Sequence, residues 1–188
     1  MRLKLRFIEE GGGISSTYQQ HLALFPRLKN TAVFKAFGGG FFHDGKITEL
    51  ALDILKRRLS FKIEAPNFYA QTERRFFSVD FECCFEGVEL ISFQSELIVD
   101  EVPKNLTFLR AEFNSLGFSS MDKLISFDNS FFENTDSRCE LLLDCVADQE
   151  VLIAINFKRF SVRARDPLLY YLACQLTGAS FEGLKQDE

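Results

Sequence analysis

The 188-residue chain has no tryptophan, only two histidines, two methionines and four prolines. Two histidines, His21 and His43, leave few ways to build a His-centred active site or a zinc site. The longest apolar runs, 151–155 and 168–174, fall far short of the roughly 20 residues that span a bilayer. The opening MRLKLRFIEE alternates apolar and basic residues and lacks the continuous apolar stretch of a secretory signal. These absences predict a soluble, cytoplasmic protein with no membrane partner. In that compartment the five cysteines read as reduced thiols. Cys83, Cys84, Cys139 and Cys145 fall in strand-like patterns and Cys174 in a helical one, and no C-x-x-C spacing occurs. Neither a P-loop, a dinucleotide fingerprint nor a Gly-x-Ser-x-Gly elbow is present. No metal and no cofactor are expected.

In place of tryptophan the chain carries 22 phenylalanines. Fully burying one stabilises by roughly 1.5–3 kcal/mol, so the chain can build a sizeable core, and residues 1–188 read as one domain. The net charge of −5 is unevenly spread. Residues 1–75 carry 13 basic and 7 acidic side chains, residues 76–157 carry 4 and 16, and residues 158–188 carry 5 and 4. Such asymmetry points either to a charged partner or to blocks that interleave in space and neutralise one another.

Periodicity predicts an α+β fold with about 6–7 strands in a mainly antiparallel sheet and about 4 helices, packed largely on one face. Two helices are expected over 16–25 and 46–59, the second from Ile47, Leu50, Ala51, Ile54 and Leu55 at i, i+3, i+4, i+7 spacing. A third begins at Pro103 and runs through Leu106, Leu109, Phe113 and Leu116. The fourth has Asp166 as N-cap, Pro167 at N1 and Gly178 just past its end. Being apolar nearly all round, it is expected at the centre. Strands are expected over 31–37 and 61–64. Phe77, Val79, Phe81, Cys83 and Phe85 share one parity, and Glu86-Gly87 reads as the turn of a hairpin into 88–99. A second hairpin joins 138–145 to 151–157. The two hairpins with their following helices suggest a duplicated ββα unit, 75–117 and 138–178.

Three functional readings follow. The first is a non-catalytic protein-binding module, an immunity- or antitoxin-like inhibitor of bacterial type. It would use an acidic surface to cover a basic surface of a partner protein. Its contact residues are Asp122, Asp128, Phe131, Phe132, Glu133 and Asp136, exposed acids and aromatics in an irregular stretch, supported by the acidic strand face of Asp80, Glu82 and Glu86. The second is a small enzyme or ligand-binding domain. In it the glycine-rich loop 38–46, with Gly39, Gly40, His43, Asp44 and Lys46, holds an anionic, phosphate-containing ligand at a helix N-terminus. The third is an RNA-binding sheet using Lys158, Arg159, Arg163 and Arg165 around Phe160; a sequence pI near 5.2 weighs against nucleic acid. Phe41 and Phe42 are either exposed or loop anchors, as are Phe131 and Phe132.

Overall fold

The computed structural model describes residues 30–66, 68–72, 74–95, 106–116, 138–146 and 150–181. Alternation of apolar and polar side chains builds ten strands within them: β1 (Lys46–Asp53), β2 (Arg58–Ala65), β3 (Tyr69–Ala70), β4 (Arg75–Phe76), β5 (Val79–Glu86), β6 (Leu90–Ser95), β7 (Leu106–Leu116), β8 (Arg138–Val146), β9 (Glu150–Phe157) and β10 (Arg159–Ala164). Helix α1 (Pro167–Thr177) follows, and a π-helical turn (Phe34–Gly38) precedes β1. Strands β3 and β4 form a small hairpin. The other eight make one sheet in the order β10-β5-β2-β1-β7-β8-β9-β6, with every ladder antiparallel.

That sheet has no true ends. Strand β5 runs into β6 through three residues, and β9 runs into β10 through Lys158 alone. The two bent strands pair along both halves, β5 with β10 and β6 with β9. Across the bend Lys158 N donates to the Glu86 carbonyl at 3.0 Å and Glu89 N to the Asn156 carbonyl at 2.9 Å. Six continuous chain segments therefore close into a barrel, which removes most of the edge that an open sheet exposes. Between the pairs Glu86–Arg159 and Leu90–Asn156, one side has an extra residue. Gly87 takes it up at φ 62°, the left-handed conformation that lets a bulge bend a strand. Glu86-Gly87 is thus the corner of a continuous strand. It is not the expected hairpin turn, and β5 and β6 do not pair with each other.

Two expected helices are strands. The 46–59 segment is β1, a turn and the start of β2; the segment from Leu106 is β7. Each contains a bulge. Residues 49 and 50 face a single residue of β2, and Leu109 is the extra residue opposite β8. A bulge shifts side-chain parity by one and so mimics helical spacing over a short stretch. The inward set of β7 accordingly steps from Leu106 and Phe108 to Ala111 and Phe113. With β7 in place of a helix, the 75–117 segment is not a ββα unit and does not repeat 138–178. The expected strand at 31–37 is helical: Thr31 Oγ1 accepts from Phe34 N and the Thr31 carbonyl from Lys35 N, which starts a turn. Among the described residues the helices are α1 and this short turn; the helix expected over 16–25 lies outside them.

Inward residues from all the barrel strands make one core, and the helical turn plugs one end of it. Phe37 there meets the rings of Phe42, Phe61, Phe85, Phe108 and Phe160, with centroids 5.4–6.3 Å apart, the range in which tilted and edge-to-face pairs are favourable. Residues 141–145 of β8 and 151–157 of β9 are buried on both faces. Leu142, Leu152 and Ala154 form a second cluster on the outside, which explains why these strands read as nearly unbroken apolar runs.

Candidate functional site

The 38–46 loop brings Gly39, Gly40, His43, Asp44 and Lys46 together, but it leads into strand β1. The helix N-terminus required for the anion-binding reading is absent. The loop is tied down from several directions. Asp44 N donates to the Phe108 carbonyl, and Phe108 N donates to the Gly45 carbonyl, both at 2.8 Å. A Cβ on Gly45 would lie 2.7 Å from the Phe42 carbonyl oxygen and 2.9 Å from that of Glu64, so only glycine allows this approach. Phe42 is fully buried and Phe41 packs against the core, meeting Phe68, Phe81 and Phe181. These two phenylalanines are loop anchors. His43 donates from Nδ1 to the carbonyl of Leu109, the extra residue of the β7 bulge. Its Nε2 lies 3.7 Å from Asp44 Oδ2, with both side chains largely in solvent. His43 therefore occupies a carbonyl that the bulge leaves without a ladder partner, a structural task.

The charged strand faces form a zipper. On the outside of β1, β2, β5 and β10, Lys62 meets Asp80 at 2.9 Å and Glu49 at 3.9 Å. Arg163 meets Glu82, Arg159 meets Glu86 at 3.2 Å, and Arg165 spans both oxygens of Glu49 at 2.9 and 3.1 Å. Glu49 reaches that position because the β1 bulge holds it at φ 52°. Lys158 pairs with Glu89 at 3.8 Å. Apart from Glu49, which belongs to the first block, carboxylates from the middle of the chain thus meet cations from the blocks on either side, as in the interleaved alternative, and each exposed pair contributes between about 0 and 1 kcal/mol. A shallow cleft on this face is lined by Glu49, Ser60, Phe61, Lys62, Glu82 and Arg165, and its cations are already paired. Asp80, Glu82 and Glu86 lie away from Asp144, whose ladder runs through Leu152 of β9 to Gln94, near the far end of the bent β5–β6 strand.

Burial holds the thiols of Cys83, Cys84 and Cys145 toward the neutral form. Cys83 and Cys145 point into the core, and burial pushes both thiols up, Cys145 to about 12. Cys84 faces outward and does have a basic neighbour: Arg58 Nε donates to its Sγ at 2.8 Å. That contact favours thiolate, but burial outweighs it and the thiol stays above its ordinary range.

The feature that periodicity placed wrongly is α1. Its capping is as expected: Asp166 accepts from Leu169 N at 3.0 Å, and Gly178, at φ 70°, donates to the Cys174 carbonyl. Its position is peripheral. Ala173 alone is buried, and Tyr170 OH accepts from Phe181 N at 2.9 Å to hold the following segment. Leu168 is 82% exposed and Tyr171 66%; Leu172 and Leu176 are exposed as well. These four follow i, i+3, i+4, i+8 spacing and form one apolar stripe on a helix without a charged residue. The stripe could have been found by noticing that an all-apolar helix has more apolar surface than one neighbour can cover.

The other expected contact residues, Asp122, Asp128, Phe131, Phe132, Glu133 and Asp136, lie outside the described residues. Among the described residues no three His, Cys, Asp or Glu side chains gather as a metal site, and no helix is long and apolar enough to cross a membrane. No protein-family model and no curated protein matches the chain. A crystal structure of an uncharacterized protein from Neisseria gonorrhoeae is similar at 10% identity over 65% of this chain and 92% of that one, with a TM-score of 0.32, too slight a likeness to carry an argument.

Proposed function

We propose that this chain is a protein-binding module whose contact is the outer stripe of α1. The observation that carries the reading is the exposure of Leu168, Tyr171, Leu172 and Leu176 on one side of a rigidly capped helix. Large contiguous apolar patches are uncommon on soluble monomers and mark interaction surfaces, and this anchor spacing is the one a helix presents to an apolar groove. A partner of that kind would be held by burial and packing, with little charge steering. The expected basic partner is less favoured, because Asp80, Glu82 and Glu86 already hold cations of this chain. A module of this kind acts sterically, as an immunity-like inhibitor does, by occupying its partner's surface.

The test is a photo-crosslinking phenylalanine analogue placed at Leu168 in the native source, with Ser161 on exposed strand β10 as the control position. A single partner crosslinked from 168 and not from 161, and lost when Tyr171→Glu is added, is the expected result. Adducts no more abundant at 168 than at 161 would refute the proposal.

A further inference from the structure

We infer that, against the expectation of no membrane partner, the tip of the β1–β2 hairpin docks on an anionic lipid surface, an assignment independent of α1. The tip joins two neighbouring aliphatic side chains, Ile54 at 77% and Leu55 at 96% exposed, to the consecutive cations Lys56, Arg57 and Arg58. Half-exposed Leu52 lies just behind them. The apex is held outward by its own turn. Lys56 N donates to Asp53 Oδ1 at 3.0 Å, and Arg57 N donates to the Ile54 carbonyl at 3.2 Å. Arg57, at φ 51°, offers its carbonyl to Val88 N from the corner of the barrel. A pre-formed turn loses little freedom on docking.

The layering decides the occupant. Exposure falls from Leu55 at 96% through Ile54 and Lys56 to Arg57 at 52% and Arg58 at 43%, so an aliphatic group leads and a collar of cations follows, the order in which acyl chains and anionic headgroups are met at a bilayer surface. Neighbouring turn residues point in diverging directions, so one rigid protein pocket suits one of them, whereas fluid acyl chains receive both. Carboxylates also face the collar: Asp53 beside Lys56, Glu89 beside Arg57, and Glu82 beside Arg58. Each is less exposed than the cation it meets, 41% against 76% for Asp53 and Lys56, and 28% against 52% for Glu89 and Arg57. The outermost charge is therefore positive. With two aliphatic groups, and with three cations that carboxylates of this chain balance in number but that reach further into solvent, the attachment is weak and reversible, as a single anchoring signal gives.

Because the chain has no tryptophan, Leu55→Trp places one fluorophore at the apex. The full chain carrying it is mixed with vesicles of phosphatidylcholine alone or with about 30% phosphatidylserine, a proportion that gives a strongly anionic surface. The expected result is a blue-shifted emission, quenched by brominated acyl chains, on the anionic vesicles only and reversed by salt. In co-sedimentation, unlabelled wild type binds the same vesicles, while Ile54→Ser with Leu55→Ser loses at least about tenfold, the order expected for withdrawing two aliphatic groups. Lys56→Glu loses less. The altered side chains are exposed, and unchanged thermal melting shows that the variants remain folded. An unshifted emission, binding indifferent to phosphatidylserine, or wild-type binding by the double Ser variant overturns the inference. Vesicle-free capture of a protein through Ile54 and Leu55, with no lipid binding, overturns it as well.

Discussion

Replacing Gly87 by alanine tests the closure of the barrel at its corner. At φ 62° a residue with a Cβ costs roughly 1–2 kcal/mol. The added Cβ would also lie 3.0 Å from Lys158 Cβ and Cγ and 3.1 Å from Cδ, inside the roughly 3.5–4.0 Å at which carbon atoms sit comfortably. The Lys158 stem can move, at the expense of its exposed pair with Glu89, which is worth at most about 1 kcal/mol. The expected loss is therefore about 1–3 kcal/mol, read as a lower urea midpoint at unchanged slope. In a Lys158→Gly background the contact part disappears and about 1–2 kcal/mol remains, so the double-mutant cycle separates backbone strain from crowding. Gly87→Asn is expected to lose less backbone energy than alanine, since asparagine tolerates this conformation. A Gly87→Ala cost within about 0.5 kcal/mol, the range of ordinary surface changes, would refute the account of the corner.

Two further outcomes follow from the core. Phe37→Ala removes the ring around which five others are arranged and is expected to cost about 3–5 kcal/mol, whereas Phe76→Ala, at a position 69% exposed, should stay within about 0.5 kcal/mol; equal midpoints in urea would disprove the plug. The neutral thiol of Cys145 is favoured by burial, with its pKa raised from 9.0 to about 12. Its contribution is complete below pH 9 and is lost as the pH rises toward 12, at about 1.4 kcal/mol per pH unit once the unfolded thiol has ionised. Unfolding curves between pH 8 and 11 should therefore fall less steeply for Cys145→Val than for wild type, and parallel curves would contradict the assignment.

Where a residue's role is set by its immediate neighbours, the amino-acid order was readable. Asp166, Pro167 and Gly178 mark both ends of α1 because capping involves backbone groups three or four residues away. The single parity of Val79, Phe81, Cys83 and Phe85 marks β5 because a regular strand has one inward face. Irregular strands were not readable in the same way. The bulges at 49–50 and at Leu109 each shift parity by one, and β1 and β7 then carry the spacing of helices. Gly87 was recognised as a conformational exception, but a hairpin turn and a strand corner both want glycine at positive φ. The choice between them rests on β10 and β9 lying alongside, some 70 residues later in the chain. His43 and its loop looked like ligand chemistry because the carbonyl that His43 holds belongs to a distant bulge. The α1 stripe was missed because hydrophobicity indicates that a helix has apolar faces, without indicating how many of them find a neighbour.

By itself the sequence determined a chain with a mainly antiparallel sheet, a phenylalanine-filled core and a capped helix at 167–177, since these depend on local backbone geometry and on the drive to remove apolar surface from water. Tertiary structure alone decided that the sheet closes, that basic and acidic blocks far apart in the chain pair across β1, β2, β5 and β10, and that Leu168, Tyr171, Ile54 and Leu55 stay in solvent. The reason is that ladder bonds, Coulomb attraction and burial all depend on distance in space, and strand register fixes that distance between residues that the chain order leaves far apart.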